Sequence, residues 1–139
     1  MAYTKAGIRF SPDSYVFVDA AGGGGIERKR IYNNPDTTQQ MTTDTLFPES
    51  EILDYDYLAF TVTNTDGSIE VEEWCEIAPL HDAGGQFVVS NPVSDGLYVR
   101  KIYRSGGNVK PSTSVFNIGT TTQDKNQCII KSVDAVKIK

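Results

Sequence analysis

The chain has 139 residues, 39% of them apolar, 22% charged and 10% aromatic, the usage of an ordinary globular domain rather than of a disordered one. That length suffices for one domain that buries about two-thirds of its unfolded surface without staples. A net charge of −5 speaks against a general nucleic-acid binder, which needs a positive surface to displace counterions from phosphates, and no apolar run is long enough to span a bilayer, so neither nucleic acid nor membrane is an expected partner.

From the N-terminus, Met1 to Gly7 lacks the apolar segment of an export signal. No asparagine fits the Asn-x-Ser/Thr acceptor pattern, Asn64 preceding Thr65-Asp66 and Asn91 preceding Pro92. The expectation is a chain made in the cytosol. Ile8-Arg9-Phe10 and Tyr15-Val16-Phe17-Val18 read as strands about a turn at Ser11-Pro12-Asp13, being rich in β-branched and aromatic residues. Gly22 to Gly25 is a loop tip, because four glycines lose too much backbone entropy inside a regular element.

Ile26 to Tyr32 resumes as strand, and Asn33 to Thr45 is a long polar loop with the turn former Asn34-Pro35-Asp36; a loop of that length usually serves function or contacts a partner. Pro48 to Leu53 reads as one short helical turn. The sharpest signal is the hairpin Tyr57 to Ile77, whose two alternating runs flank Asp66-Gly67, a pair suited to the positive φ angles of a tight turn. Further strands are predicted at Gln86–Ser90 and Leu97–Arg104, separated by the turn formers Asn91 to Gly96, then at Ser114–Ile118 after a turn at Ser105 to Asn108. Gly119 to Asn126 connects to the last segment, Gln127 to Lys139. There Ile129, Val133 and Val136 fit helical spacing, while Cys128, Ile130, Val136 and Ile138 fit a period of two; its β-branched residues favour strand.

No stretch sustains a capped amphipathic helix, and turn signals recur roughly every eight to twelve residues. The predicted fold is all-β, a single antiparallel β-sandwich or jelly roll over residues 1–139. Its expected core is Tyr15 or Val16, Phe17 or Val18, Leu58, Phe60, Val62, Ile69, Val71, Val88, Leu97, Val99, Phe116 and Ile130.

Chemistry-bearing residues are sparse. The tetraglycine lacks the Gly-Lys-Ser/Thr of a phosphate loop and leads into a strand. His81-Asp82 is the one pair able to relay a proton, but no serine or cysteine nearby carries a nucleophile signature. One histidine and two cysteines fall short of a zinc set. Asp54, Asp56, Asp13 and Asp19 offer hard oxygens without EF-hand spacing. Cys75 and Cys128 lie in predicted strands and are expected as free thiols. Arg28-Lys29-Arg30 and Arg100-Lys101 with Arg104 are split between strand faces and read as solvated edge charge. The expectation is a protein that is not an enzyme, has no catalytic residues, binds no metal and needs no cofactor.

Trp74 stands out. Ile69, Val71, Cys75 and Ile77 share one face, interrupted by Glu73, and Glu70, Glu72, Trp74 and Glu76 share the other. An exposed tryptophan among glutamates can stack on a sugar, a cation or a neighbouring subunit, whereas a bulge near Glu72-Glu73 swaps the faces and buries it. The candidate interaction residues are Trp74, Glu72 and Glu76 with the loop positions Asn33, Asn34, Asp36, Gly23 and Gly24.

The whole-chain texture, short strands rich in threonine, asparagine and glycine after a bare start, resembles the small β-sandwich accessory proteins of tailed-phage virions, of the capsid-decoration or tail and fibre-adaptor type. The resemblance rests on no motif and carries over no site residues. It implies a structural role in the virion for a protein made in the host cytoplasm, a homo-oligomer or multicopy protein docking on other virion or assembly proteins through loops and strand edges. The alternative is a β-sandwich module that binds carbohydrate or another small ligand through Trp74 with Tyr55 and Tyr57.

Overall fold

A computed structural model describes residues 8–11, 14–18, 25–82, 84–94, 96–118, 124 and 126–139, with side chains from residue 25 onward apart from Ser114. Its strands are β1 (Ile8–Ser11), β2 (Ser14–Val18), β3 (Gly25–Asn33), β4 (Phe47–Pro48), β5 (Tyr57–Thr63), β6 (Glu70–Glu76), β7 (Gln86–Val93), β8 (Gly96–Ser105), β9 (Asn108–Ile118) and β10 (Ile129–Ile138). They form a six-stranded sheet in the order β1-β2-β3-β10-β5-β6 and a four-stranded sheet in the order β4-β9-β8-β7. Every pairing is antiparallel. The all-β class is as expected, and the segment of ambiguous period is strand β10. Single 3-10 turns occupy Glu49–Glu51, where one short helical turn was predicted, and Ala78–His81.

The two sheets share one core. Leu58, Phe60 and Val62 from β5, Ile130, Val133 and Ala135 from β10, Val89 from β7, Tyr98 and Ile102 from β8, and Val109 and Val115 from β9 are all buried in one cluster. Phe60 meets Phe87 edge-on across the sandwich, with ring centroids 5.7 Å apart and planes at 74°, a favoured aromatic arrangement.

Three expectations need correction. First, the hairpin is not a two-residue turn. The ladder ends at Thr63 opposite Glu70, and among the described residues positive φ is confined to glycines, so Gly67 turns at +71° while Asp66 does not. The cause is Asn64. Its carbonyl accepts from Gly67 N at 3.1 Å, and its side-chain Oδ1 accepts from Ile69 N at 3.2 Å, with Asp66 Oδ1 accepting from Ser68 N at 2.8 Å. These side-chain bonds replace the backbone turn that a shorter loop would use. The tight glycine turn lies at Gly106-Gly107, with φ of +61° and +78°, between the paired Ser105 and Asn108.

Second, the Asn33 to Thr45 loop, expected to be polar throughout, has an apolar anchor. Met41 enters the core, where it joins Leu46 and Phe47 from just beyond the loop, and the Nδ2 of Asn34 ties the loop to the carbonyl of Ile130 at 3.1 Å. Strand β7 likewise runs on through Asn91 and Pro92 to Val93; as an edge strand of its sheet it tolerates a proline that cannot donate to a ladder.

Third, the faces of the four-stranded sheet are reversed. Leu58, Phe60, Val62 and Ile130 are buried as expected, and Ile69, Val71 and Val99 are half-buried. Val88, Leu97 and Phe116, however, point outward with 52%, 36% and 52% of their surface exposed. The expected core positions Tyr15 to Val18 lie outside the described side chains.

Candidate functional site

The outer face of the six-stranded sheet carries the anticipated tryptophan. On β6, the residues Glu70, Glu72, Trp74 and Glu76 are exposed and their alternates are half-buried, so no bulge shifts the register against β5. Trp74 is 41% exposed. It stands across from the small Ala59, with the Tyr57 ring 5.9 Å away. The guanidinium of Arg28 lies 5.6 Å over its ring, within cation–π range, and its Nε1 donates to Glu72 at 3.4 Å.

Arg28 anchors this patch rather than being solvated. It reaches over Val136, its partner in the β3–β10 ladder, to pair with Asp134 at 2.9 Å and with Glu72. Asp134 also pairs with Arg30, which donates to the Asn33 side chain at 2.8 Å. Arg28 and Asp134 are 8% and 3% exposed, so the network holds the charges that desolvation would otherwise penalise.

The other loop positions also bond within the chain. The Asn34 Oδ1 accepts from Asp36 N at 3.0 Å. Asp36 accepts from the backbone and hydroxyl of Thr38 and from Gln39. Those bonds favour the carboxylate and lower its pKa to about 2. Gly23 and Gly24 lie outside the described residues, as do Asp13 and Asp19.

The second surface, the outer face of the four-stranded sheet, was missed. Here Val88, Leu97, Val99, Phe116 and Ile118 are side by side, with Val88 opposite Lys101, Val99 opposite Phe116 and Leu97 opposite Ile118. Ile118 is 60% exposed. Val88, Val99, Lys101, Ser112 and Phe116 outline a hollow of about 380 Å³. Lys101 and Lys110 flank it, Lys101 with its Nζ 5.8 Å over the Tyr103 ring and Lys110 opposite Tyr103 in the ladder. The described outward residues of β7, β8 and β9 include no acid.

The inner face of the same sheet buries polar side chains among its core residues. Arg100 is 1% exposed; its Nε donates to the Cys128 carbonyl at 2.8 Å and its Nη1 to the Ser112 carbonyl at 2.5 Å. Both acceptors come from breaks in the ladders. Cys128 precedes β10, and Ser112 lies where β9 bulges between Pro111, opposite Ile102, and Val115, opposite Arg100. A bulge frees a carbonyl from strand pairing, and the arginine takes it up. Burial lowers the Arg100 pKa from its ordinary value. Asn91, fully buried, donates to the Gln127 carbonyl at 2.8 Å.

Cys75 and Cys128 are free thiols. Burial first, and then the Glu73 carboxylate for Cys75 and the opposing pulls of Arg100 and Glu73 for Cys128, leave both raised to about 12. They are protonated near neutral pH, unlike a nucleophilic thiolate. Glu73 faces inward at the sheet margin, where the Ser90 hydroxyl donates to its Oε1 at 3.4 Å and burial raises its pKa. His81 and Asp82 are exposed, and the His81 carbonyl accepts from Arg104 at 2.6 Å. Gly85 follows because an added Cβ there would lie 1.6 Å from the Pro79 carbonyl oxygen. Asp56 is committed to the backbone N–H of Ile138, at 2.8 Å. Among the described residues, no three histidine, cysteine or acidic side chains gather in a way that could hold a metal ion, and no helix is long and apolar enough to cross a membrane.

No family model, no curated protein and no solved structure was found to match the chain.

Proposed function

We propose that this chain is a non-enzymatic structural protein that works by protein contact in several copies, as a component of a tailed-phage virion of the decoration or tail-adaptor type. The observation that carries the contact reading is the outer face of the four-stranded sheet. Val88, Phe116 and Ile118 each leave more than half of their surface in water, beside Leu97. Contiguous apolar patches of this kind mark protein-interaction sites in soluble proteins, and many weak contacts made together on one particle reinforce each other. The virion setting rests on the sequence texture alone.

The docking surface assigned by this reading is a sheet face rather than the long loop, because Asn34 and Asp36 spend their side chains on holding that loop. A sugar-binding role for Trp74 is less favoured: Arg28 already lies over the indole ring, and Tyr55 packs against the core instead of joining a platform with Tyr57.

Co-sedimentation with tailed-phage particles and with isolated capsid and tail subassemblies tests the proposal. The expected result is binding that Phe116→Glu abolishes and His81→Ala leaves intact. A monomer that binds a saccharide tightly and no macromolecule would overturn it.

A further inference from the structure

The two outer faces of the sandwich differ in chemistry in a complementary way. On one, Trp74 projects from an edge strand among Glu70, Glu72 and Glu76. On the other, an apolar hollow bounded by Val88, Val99 and Phe116 has Lys101 on its wall and Lys110 nearby, with no acid among the described outward residues of its three long strands. Packing two hollows against each other would bring lysines toward lysines. Packing the β6 surface of one copy on the hollow of the next brings the exposed part of the indole, beside Arg28, onto an apolar recess and Glu76 toward lysines, since Glu70 is paired with Lys131 and Glu72 with Arg28. Aromatic anchors in desolvated pockets are what interfaces use most, and opposite charges around them fix orientation.

We infer that the occupant of this hollow is a second copy of the chain, with the Trp74 side of β6 seated on the outer face of β7, β8 and β9 through a head-to-tail contact. The inference deepens the contact reading above and rests on it. Because the two patches lie on different sheets, the contact uses unlike surfaces on the two partners. Such heterologous contacts propagate into rings or filaments rather than stopping at a pair. The hollow, about 380 Å³, is open and large enough for one indole. Of the two acids beside Trp74 on its strand, Glu72 is held by Arg28. Glu76 sits on the same face two residues on and is the acid placed to meet Lys101.

Trp74 is the chain's one tryptophan, so its emission reports the contact directly. In the purified full chain, raising the concentration is expected to shift the emission to the blue as sedimentation velocity registers species larger than dimers, and added salt to weaken both. Phe116→Glu removes the hollow and keeps the indole; Trp74→Ala removes the indole and keeps the hollow. Each alone is expected to weaken association by roughly tenfold or more. An equimolar mixture of the two retains one good interface and is expected to give a complex that stops at two chains. Circular dichroism confirms that each variant is folded. Should Trp74→Ala unfold, Glu76→Lys and Lys101→Glu, weak alone and restored when mixed, take its place.

A wild type that stays monomeric at high concentration would overturn the inference. So would association that survives Trp74→Ala in a folded chain, or a mixture that stays monomeric. If Phe116→Glu still abolishes co-sedimentation with a particle in those cases, the contact reading stands and only the identity of the partner fails. If Phe116→Glu leaves both association and co-sedimentation intact, the contact reading fails as well.

Discussion

The six-stranded sheet keeps aliphatic side chains inside and places Arg28, Asp134, Glu72 and Trp74 outside, while the four-stranded sheet buries Arg100, Asn91 and Asn117 and exposes Val88, Leu97, Phe116 and Ile118. Both obey the alternation of a strand, in which successive side chains point to opposite faces. They differ in what chooses the inner face. In the first sheet hydrophobicity decides. In the second, backbone carbonyls freed by a bulge and a strand end satisfy a buried guanidinium, and apolar residues are left exposed on the opposite face.

The comparison breaks most decisively at two phenylalanines. Phe60→Ala should lose about 3–5 kcal/mol, the usual penalty for emptying a core site, whereas Phe116→Ala, on the exposed face, should change stability by about 0.5 kcal/mol or less. Urea unfolding of both at low protein concentration measures this, and a reversed order would mean the faces are assigned wrongly. Next is Arg100→Ala, which strands the carbonyls of Cys128 and Ser112 in the core. The expected loss is about 2–4 kcal/mol, and the same measurement checks it; a near-neutral change would mean that the arginine does not organise the inner face.

Arg28→Ala should cost less, about 1–3 kcal/mol, since Glu72 is exposed and Arg30 still pairs with Asp134. The indole loses its cover, so Trp74 emission should move to the red. The smallest effect belongs to Glu73. Burial raises its pKa, so the folded state holds that proton more tightly than the unfolded chain does. Its contribution to stability is therefore present at low pH and declines as the pH rises from about 4.5 through the folded value. Glu73→Gln should flatten that slope, with a difference from wild type under about 1 kcal/mol at neutral pH, readable from unfolding midpoints taken between about pH 3 and 7.

Strand content was legible because β-branched and aromatic runs separated by turn formers leave few alternatives. The position of Trp74 was legible for a related reason: on β6 the two faces differ sharply in polarity. On β8 they do not. Leu97 and Val99 alternate with Tyr98, Arg100 and Ile102, and hydropathy favours the face that holds no arginine. The bulge in β9 that frees a carbonyl for Arg100 adds two residues, so Val109, Pro111, Val115 and Asn117 all stay buried, and it has no signature in Ser112-Thr113-Ser114. The folding-in of the Asn33 to Thr45 loop was hidden for a different reason, since a single methionine, Met41, anchors a segment whose composition is otherwise polar.

The position of β10 bears on how the molecule is made. The last strand among the described residues lies in the interior of the six-stranded sheet, hydrogen-bonded to β3 on one side and β5 on the other. Neither neighbour has that partner until Ile129–Ile138 has been made, so β3 and β5 wait with open edges. Pairings this distant in sequence are slow to form, and exposed edges are where nascent chains associate wrongly. The six-stranded sheet is closed only when β10 inserts, and the rate of that insertion sets how long its two neighbours stay open to wrong pairing.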